Sequence, residues 1–156
     1  MKFVFEVKSE LALKWKYDDG GRKESGFQGD TGDCVVRSIA IALGKDYQVV
    51  YNELNAIAKV ERPHTKKGKR SSSRTGVFRR TYENYLKALG WQWVPTMKFG
   101  QGCRVHLRKG ELPEGRLIVA VSKHLCAVID GVIHDTHDPG RQGQRCVYGY
   151  YIKEEA

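Results

Sequence analysis

The sequence predicts an α+β domain in which helices come first and an antiparallel sheet follows. Three observations carry that expectation. Apolar residues recur at helical spacing through 35–58 and again over 77–89, and a period of two takes over from Trp91 onward. Asp130-Gly131 joins two apolar runs as a two-residue hairpin turn. Runs of helices followed by runs of strands belong to the segregated α+β class.

The elements follow in order. Residues 1–8 alternate, and with Leu11–Trp15 they read as a strand or hairpin ahead of the turn Asp18-Asp19-Gly20-Gly21. Cys34 opens a helix in which Val35, Val36, Ile39, Ala40 and Leu43 share a face, and Gly44 is a natural residue to stop it. Asp46 can cap a second helix running through Ala58, with Val50, Leu54, Ile57 and Ala58 inward. A third helix spans Val77 to Leu89 and is closed by Gly90. Strands are expected at 91–95, 104–107, 116–121, 125–130, 132–136 and 146–152.

The 156 residues suit one domain, 1–156, with a core that needs no disulfide staple. No apolar run approaches the roughly 18 residues that cross a bilayer, so no membrane partner is expected. The start lacks the pattern of a secretory leader. The four cysteines lie far apart, which favours reduced thiols in a cytoplasm over a disulfide framework. The formal net charge of +9 is concentrated, because residues 59–80 hold nine cations against Glu61 alone. A basic flexible loop at about 59–76 follows, with His64 solvated in it. Such a loop is either held open by like-charge repulsion or a contact for an acidic partner. No aromatic residues interleave within it, so nucleic acid is not the expected partner.

Cys34 stands behind the loop Gln28-Gly29-Asp30-Thr31-Gly32-Asp33. A thiol at a helix start feels the positive end of the dipole, which favours the thiolate, and first-turn N–H groups can face an oxyanion. A buried structural cysteine is the competing reading. With Gln28 six residues upstream, residues 28–40 resemble the papain-like cysteine peptidases. Gly32 to Ala40 is also similar to the nucleophile helix of the ovarian-tumour-type deubiquitinases, a branch of that superfamily. The resemblance implies a papain-like fold with the nucleophile helix packed on an antiparallel sheet. It implies Cys34 as nucleophile and Gln28 as an oxyanion-hole donor, with no cofactor. The whole chain resembles small proteins of bacteriophages and bacteria, which implies a cytoplasmic setting, the host's for a phage protein.

A cysteine nucleophile needs a base, and the base needs an orienting group. A two-residue turn at Asp130-Gly131 pairs Ile129 with Val132, Val128 with Ile133, Cys126 with Asp135 and His124 with His137. His124 and Asp135 then project from one face on diagonal positions. By the resemblance His124 is the general base and Asp135 its orienter. Asp138 takes that place if a bulge shifts the register. Cys103, His106, Cys126, His134 and His137 offer ligands for zinc, but there is no CxxC pair, and His124 and Cys126 are only two residues apart on one strand face. Cys126 and Cys146 read as packed strand residues. The three tryptophans and Tyr148, Tyr150 and Tyr151 read as core and edge packing, and Asp30 and Asp33 as helix caps. The expected function is hydrolysis of a peptide or isopeptide bond in a protein or peptide substrate through a thioester. Deamidation and acyl transfer use the same groups. The alternative is a non-enzymatic protein on a degenerate papain-like scaffold, binding an acidic protein or nucleic acid through the basic loop.

Overall fold

The computed structural model describes residues 10–64 and 66–153; the strand expected over 1–8 lies outside them. Strand β1 (Lys14–Tyr17) precedes three helices, α1 (Cys34–Leu43), α2 (Tyr47–Val60) and α3 (Arg79–Ala88). Five strands follow: β2 (Trp91–Pro95), β3 (Arg116–Val121), β4 (His124–Ile129), β5 (Val132–Asp135) and β6 (Gly149–Lys153). The fold is α+β, with three helices packed against a six-stranded sheet of order β1-β5-β4-β3-β6-β2.

Local chemistry sets the helix ends. Gly44 turns left-handed at φ 65°, and the N–H groups of Gly44 and Lys45 return to the carbonyls of Ile41 and Ala40. The Asp46 carboxylate accepts from the Val49 N–H at 3.2 Å and so caps α2. At the other end of α2, Arg70 donates to the carbonyls of Ala58 and Glu61. Helix α3 starts two residues later than its pattern suggests, because Phe78 stays extended.

The sheet is mixed, which corrects the expectation of a purely antiparallel one. Strand β1 runs parallel to β5, placing Lys14 beside Val132 and Tyr17 beside Asp135. A parallel neighbour needs a long crossover, and here all the intervening elements supply it. The strand expected at 104–107 is only a bridge between His106 and Cys146, because Leu107 turns fully into the core instead. Both sheet faces are covered. Ile118, Leu125, Ala127 and Tyr151 pack under the helices, and Leu117, Val119, Val128 and Ile133 pack on the opposite face with Leu13 and Leu107. Strand β3 therefore reads as an unbroken apolar run. Among the described residues no helix is long and apolar enough to cross a membrane.

Two further expectations change. Cys103 and Cys146 are joined in a disulfide, with Cα atoms 5.9 Å apart, because the bridge at His106 draws the two segments together. The bridge leaves Cys34 and Cys126 as the free thiols among the described residues. The basic segment is also better anchored than its charge implies. Ser71 and Ser73 are buried, bonded to the Thr81 hydroxyl at 2.6 Å and the Tyr51 carbonyl at 2.7 Å. Arg74 donates to the Gln28 carbonyl at 2.6 Å, and its own carbonyl accepts from Thr31 at 2.8 Å. Hydroxyls and guanidinium groups that find carbonyls hold residues 70–76 in place. His64 is not solvated, since its ring lies 4.3 Å from that of Phe78.

Candidate active site

Helix α1 packs across β4, so its first residue meets the first residue of that strand. Cys34 and His124 lie close enough there for each to shift the other's ionisation. The hairpin behind His124 forms as its sequence requires. Asp130 and Gly131 sit at φ 48° and 78°, the paired positive values of a type I′ turn. The register is Ile129 opposite Val132, Val128 opposite Ile133 and Ala127 opposite His134. Asp135 is thereby brought to His124, whose Nε2 lies 2.5 Å from Asp135 Oδ2. Asp138 is not the orienter, because its carboxylate accepts instead from the Gly140 N–H at 2.9 Å.

Electrostatics favour an ion pair. Burial opposes ionisation of Cys34, but the hydrogen bond and charge of His124, the Leu125 N–H and the charge of Arg37 outweigh it, so its thiol lies below the ordinary value. Burial likewise opposes protonation of His124, and the bonds to Asp135 and Cys34 override it, holding the imidazole up at about 9. Asp135 is pushed upward by burial and more strongly downward by His124, Arg37 and the Thr136 N–H. Cys126 differs: fully enclosed, its thiol is pushed up.

A buried ionic chain steadies the orienter. Arg37, one turn along α1 from Cys34, donates to Asp135 Oδ1 at 3.0 Å, to Thr136 Oγ1 at 2.7 Å and to Asp33 Oδ1 at 3.0 Å. Asp33 also accepts from Arg22 at 3.2 Å and from the Tyr47 hydroxyl at 2.7 Å. Arg22, Asp33, Arg37 and Asp135 are all buried. Asp33 therefore occupies the cap position of α1 without capping it through its side chain, and Asp30 pairs with Arg22 at 3.1 Å. Cys34 and Val35, the first two residues of α1, line the cleft.

The thiol opens into a cleft of about 510 Å³. Gly32, Thr75 and Gly76 form one side, and Tyr82, Trp93 and Tyr148 another. Neither a protein-family model, nor a curated protein, nor a solved structure matches this chain.

The site therefore rests on the residues alone. Cys34, His124 and Asp135 come together, the last two through the hairpin register. Gln28 does not join them; its side chain is exposed beside a separate depression with Tyr17, Asp19 and Phe27. Its backbone carbonyl is bound by Arg74, which draws that loop towards residues 72–76. Ligand atoms of His124, Asp135 and His137 lie within 4.8 Å of one another, so a cation could be held there, although Arg37 and Thr136 already donate to Asp135. Cys103 is oxidised, and His134 pairs with Asp18 at 3.2 Å, so neither adds a ligand. Trp93 packs against the core as expected and, with Tyr148, also lines the cleft.

Trp93 depends on a glycine. A Cβ at residue 149 would come within 2.4 Å of the indole and 2.8 Å of the Val94 carbonyl. Gly149→Ala is expected to push the indole off the strand and to lower stability by about 1–3 kcal/mol. Denaturant titration followed by tryptophan fluorescence checks it; a native midpoint with unshifted emission would contradict the contact.

Proposed function

We propose that the protein is a cysteine-dependent hydrolase of the papain-like type that cleaves a peptide or isopeptide bond. The observation that carries this reading is the meeting of Cys34 with His124, itself hydrogen-bonded to Asp135, in the lining of an open cleft. A nucleophile helix laid on a sheet, with base and orienter on adjacent antiparallel strands, supports the papain-like assignment.

The chemistry follows from the charges. The Cys34 thiolate attacks the carbonyl carbon, and the oxyanion that forms is met by N–H groups at the start of α1. His124, with Nε2 bound to Asp135, keeps Nδ1 for the reacting groups and gives its proton to the departing amine. The acyl group is then a thioester on Cys34. Water attacks it, His124 takes the water's proton, and a carboxylic acid leaves as the thiolate is restored. An attacking amine in place of water would make the same site an acyltransferase, and loss of ammonia a deamidase.

Iodoacetamide labelling across pH tests the reading. Cys34 is expected to react well below about pH 8.5, where an ordinary thiol is largely protonated. Cys126, buried with its thiol pushed up, is expected to remain unlabelled in the folded protein. Mass mapping of the modified peptides gives the two profiles. An ordinary thiol profile at Cys34 overturns the proposal. For turnover of a found substrate, the acid limb marks the lowered Cys34 thiol, and activity falls again as His124 loses its proton near pH 9.

A further inference from the structure

Among the described residues, the charged side chains lining the cleft besides Cys34 and His124 are Arg79 and Lys123, and no carboxylate side chain lines it. Arg79 is held ready for a ligand. Its guanidinium lies 4.9 Å from the Trp93 ring centroid, yet its side chain is 59% exposed. Stacking fixes the plane of a guanidinium while leaving its edge donors for a carboxylate. Its acidic neighbour Glu83 forms an exposed ion pair with it at 3.9 Å, too long for a hydrogen bond, so the guanidinium keeps donors for a second carboxylate. Lys123 is exposed in the turn immediately before His124.

The basic segment points to the same place. Arg70, Arg74 and Arg80 within it donate to the carbonyls of Ala58, Gln28 and Arg62. Arg79 lies on an aromatic face instead, and residues 75–79 are a wall of the cleft. Lys59, Lys66 and Lys67 are exposed earlier in the same segment. A thiolate hydrolase acts on an acyl carbon, which a polypeptide offers and a phosphodiester backbone does not.

Resting on the hydrolase reading, we propose that the substrate is an acidic polypeptide, recognised near the scissile bond by Arg79 and Lys123 through a carboxylate side chain. The acidic partner of the basic segment and the substrate of the cleft are then one molecule.

Iodoacetate and iodoacetamide, which alkylate the same sulfur and differ by one negative charge, test the field at the thiol. At neutral pH and low salt, the iodoacetate-to-iodoacetamide rate ratio at Cys34 is expected to fall about two- to fivefold in Arg79→Gln, and again when Lys123→Gln is added. Added salt is expected to narrow the difference. Matched peptidyl fluoromethyl ketones with Asp, Asn or Lys beside the reactive carbonyl are expected to inactivate the wild type fastest with Asp and slowest with Lys. That order is expected to flatten in the double variant. Selective iodoacetamide labelling of Cys34 with the same ratio in all three proteins overturns the acidic-substrate proposal and leaves the hydrolase reading intact. If neither reagent selects Cys34, the hydrolase reading fails and takes this proposal with it.

Discussion

Replacing Arg37 by methionine is expected to cost about 3–5 kcal/mol of folding stability, the range for stranding a buried charge by removing its partner. The cause is specific. The guanidinium joins Asp33 to Asp135 inside the protein, and its loss leaves each enclosed carboxylate with one cationic partner, Arg22 or His124, in place of two. Denaturant midpoints measure the effect, and a variant within about 0.5 kcal/mol of the wild type would sink the account. Arg37→Lys separates positioning from mere support. Lysine keeps the charge but cannot reach both carboxylates with a planar fork. It is expected to recover part of the stability while the Cys34 labelling profile still moves to higher pH. A purely structural role would restore both together.

Asp135→Asn is expected to act chiefly on chemistry. Without the carboxylate, Cys34 alone opposes burial at His124, so the imidazole gives up its proton at lower pH. The thiol then loses its ion-pair partner, so the labelling midpoint of Cys34 rises. Turnover of any substrate found is expected to fall by about 10⁴-fold, the loss known for an amide in the orienting position of a triad. Stability should also respond to pH in a definite sense. His124 is raised from 6.5 to about 9 on folding, so its contribution is complete below pH 6.5 and lost as pH climbs through about 9. Asp135 is lowered from 3.8, so its contribution is complete above that value and lost as pH falls through the lower folded one. The gap between wild type and variant should be widest between about pH 4 and 6.5. Melting curves across that span check it, and a gap independent of pH would contradict the coupling.

The site was legible where local rules determine geometry. Asp130-Gly131 admits one tight turn, which determines the register of β4 and β5 and hence that Asp135 meets His124. Cys34 was legible from its place between a polar loop and an apolar helix. Arg37 was not, because a lone cation on a helix reads as facing solvent until β5 is known to lie against that face. Gln28 stood at a suggestive spacing, but the pull of Arg74 on its backbone depends on a segment far along the chain. The disulfide was hidden for a similar reason: Cys103 and Cys146 are 43 residues apart and meet through a single bridge. Serines at 71 and 73 look solvated in sequence and are buried because hydroxyls find partners in α2 and α3.

The pairing of β1 with β5 has a consequence in time. Trp15 donates to the Asp135 carbonyl across 120 positions, and Arg37 reaches Asp135 across 98. Contacts this remote form late and make assembly slow. During synthesis at about 5–20 residues per second, Arg37 leads Asp135 by roughly 5–20 s. A nascent chain therefore holds Cys34 without His124 and Asp135 beside it, and the proposed ion pair forms only once the hairpin closes.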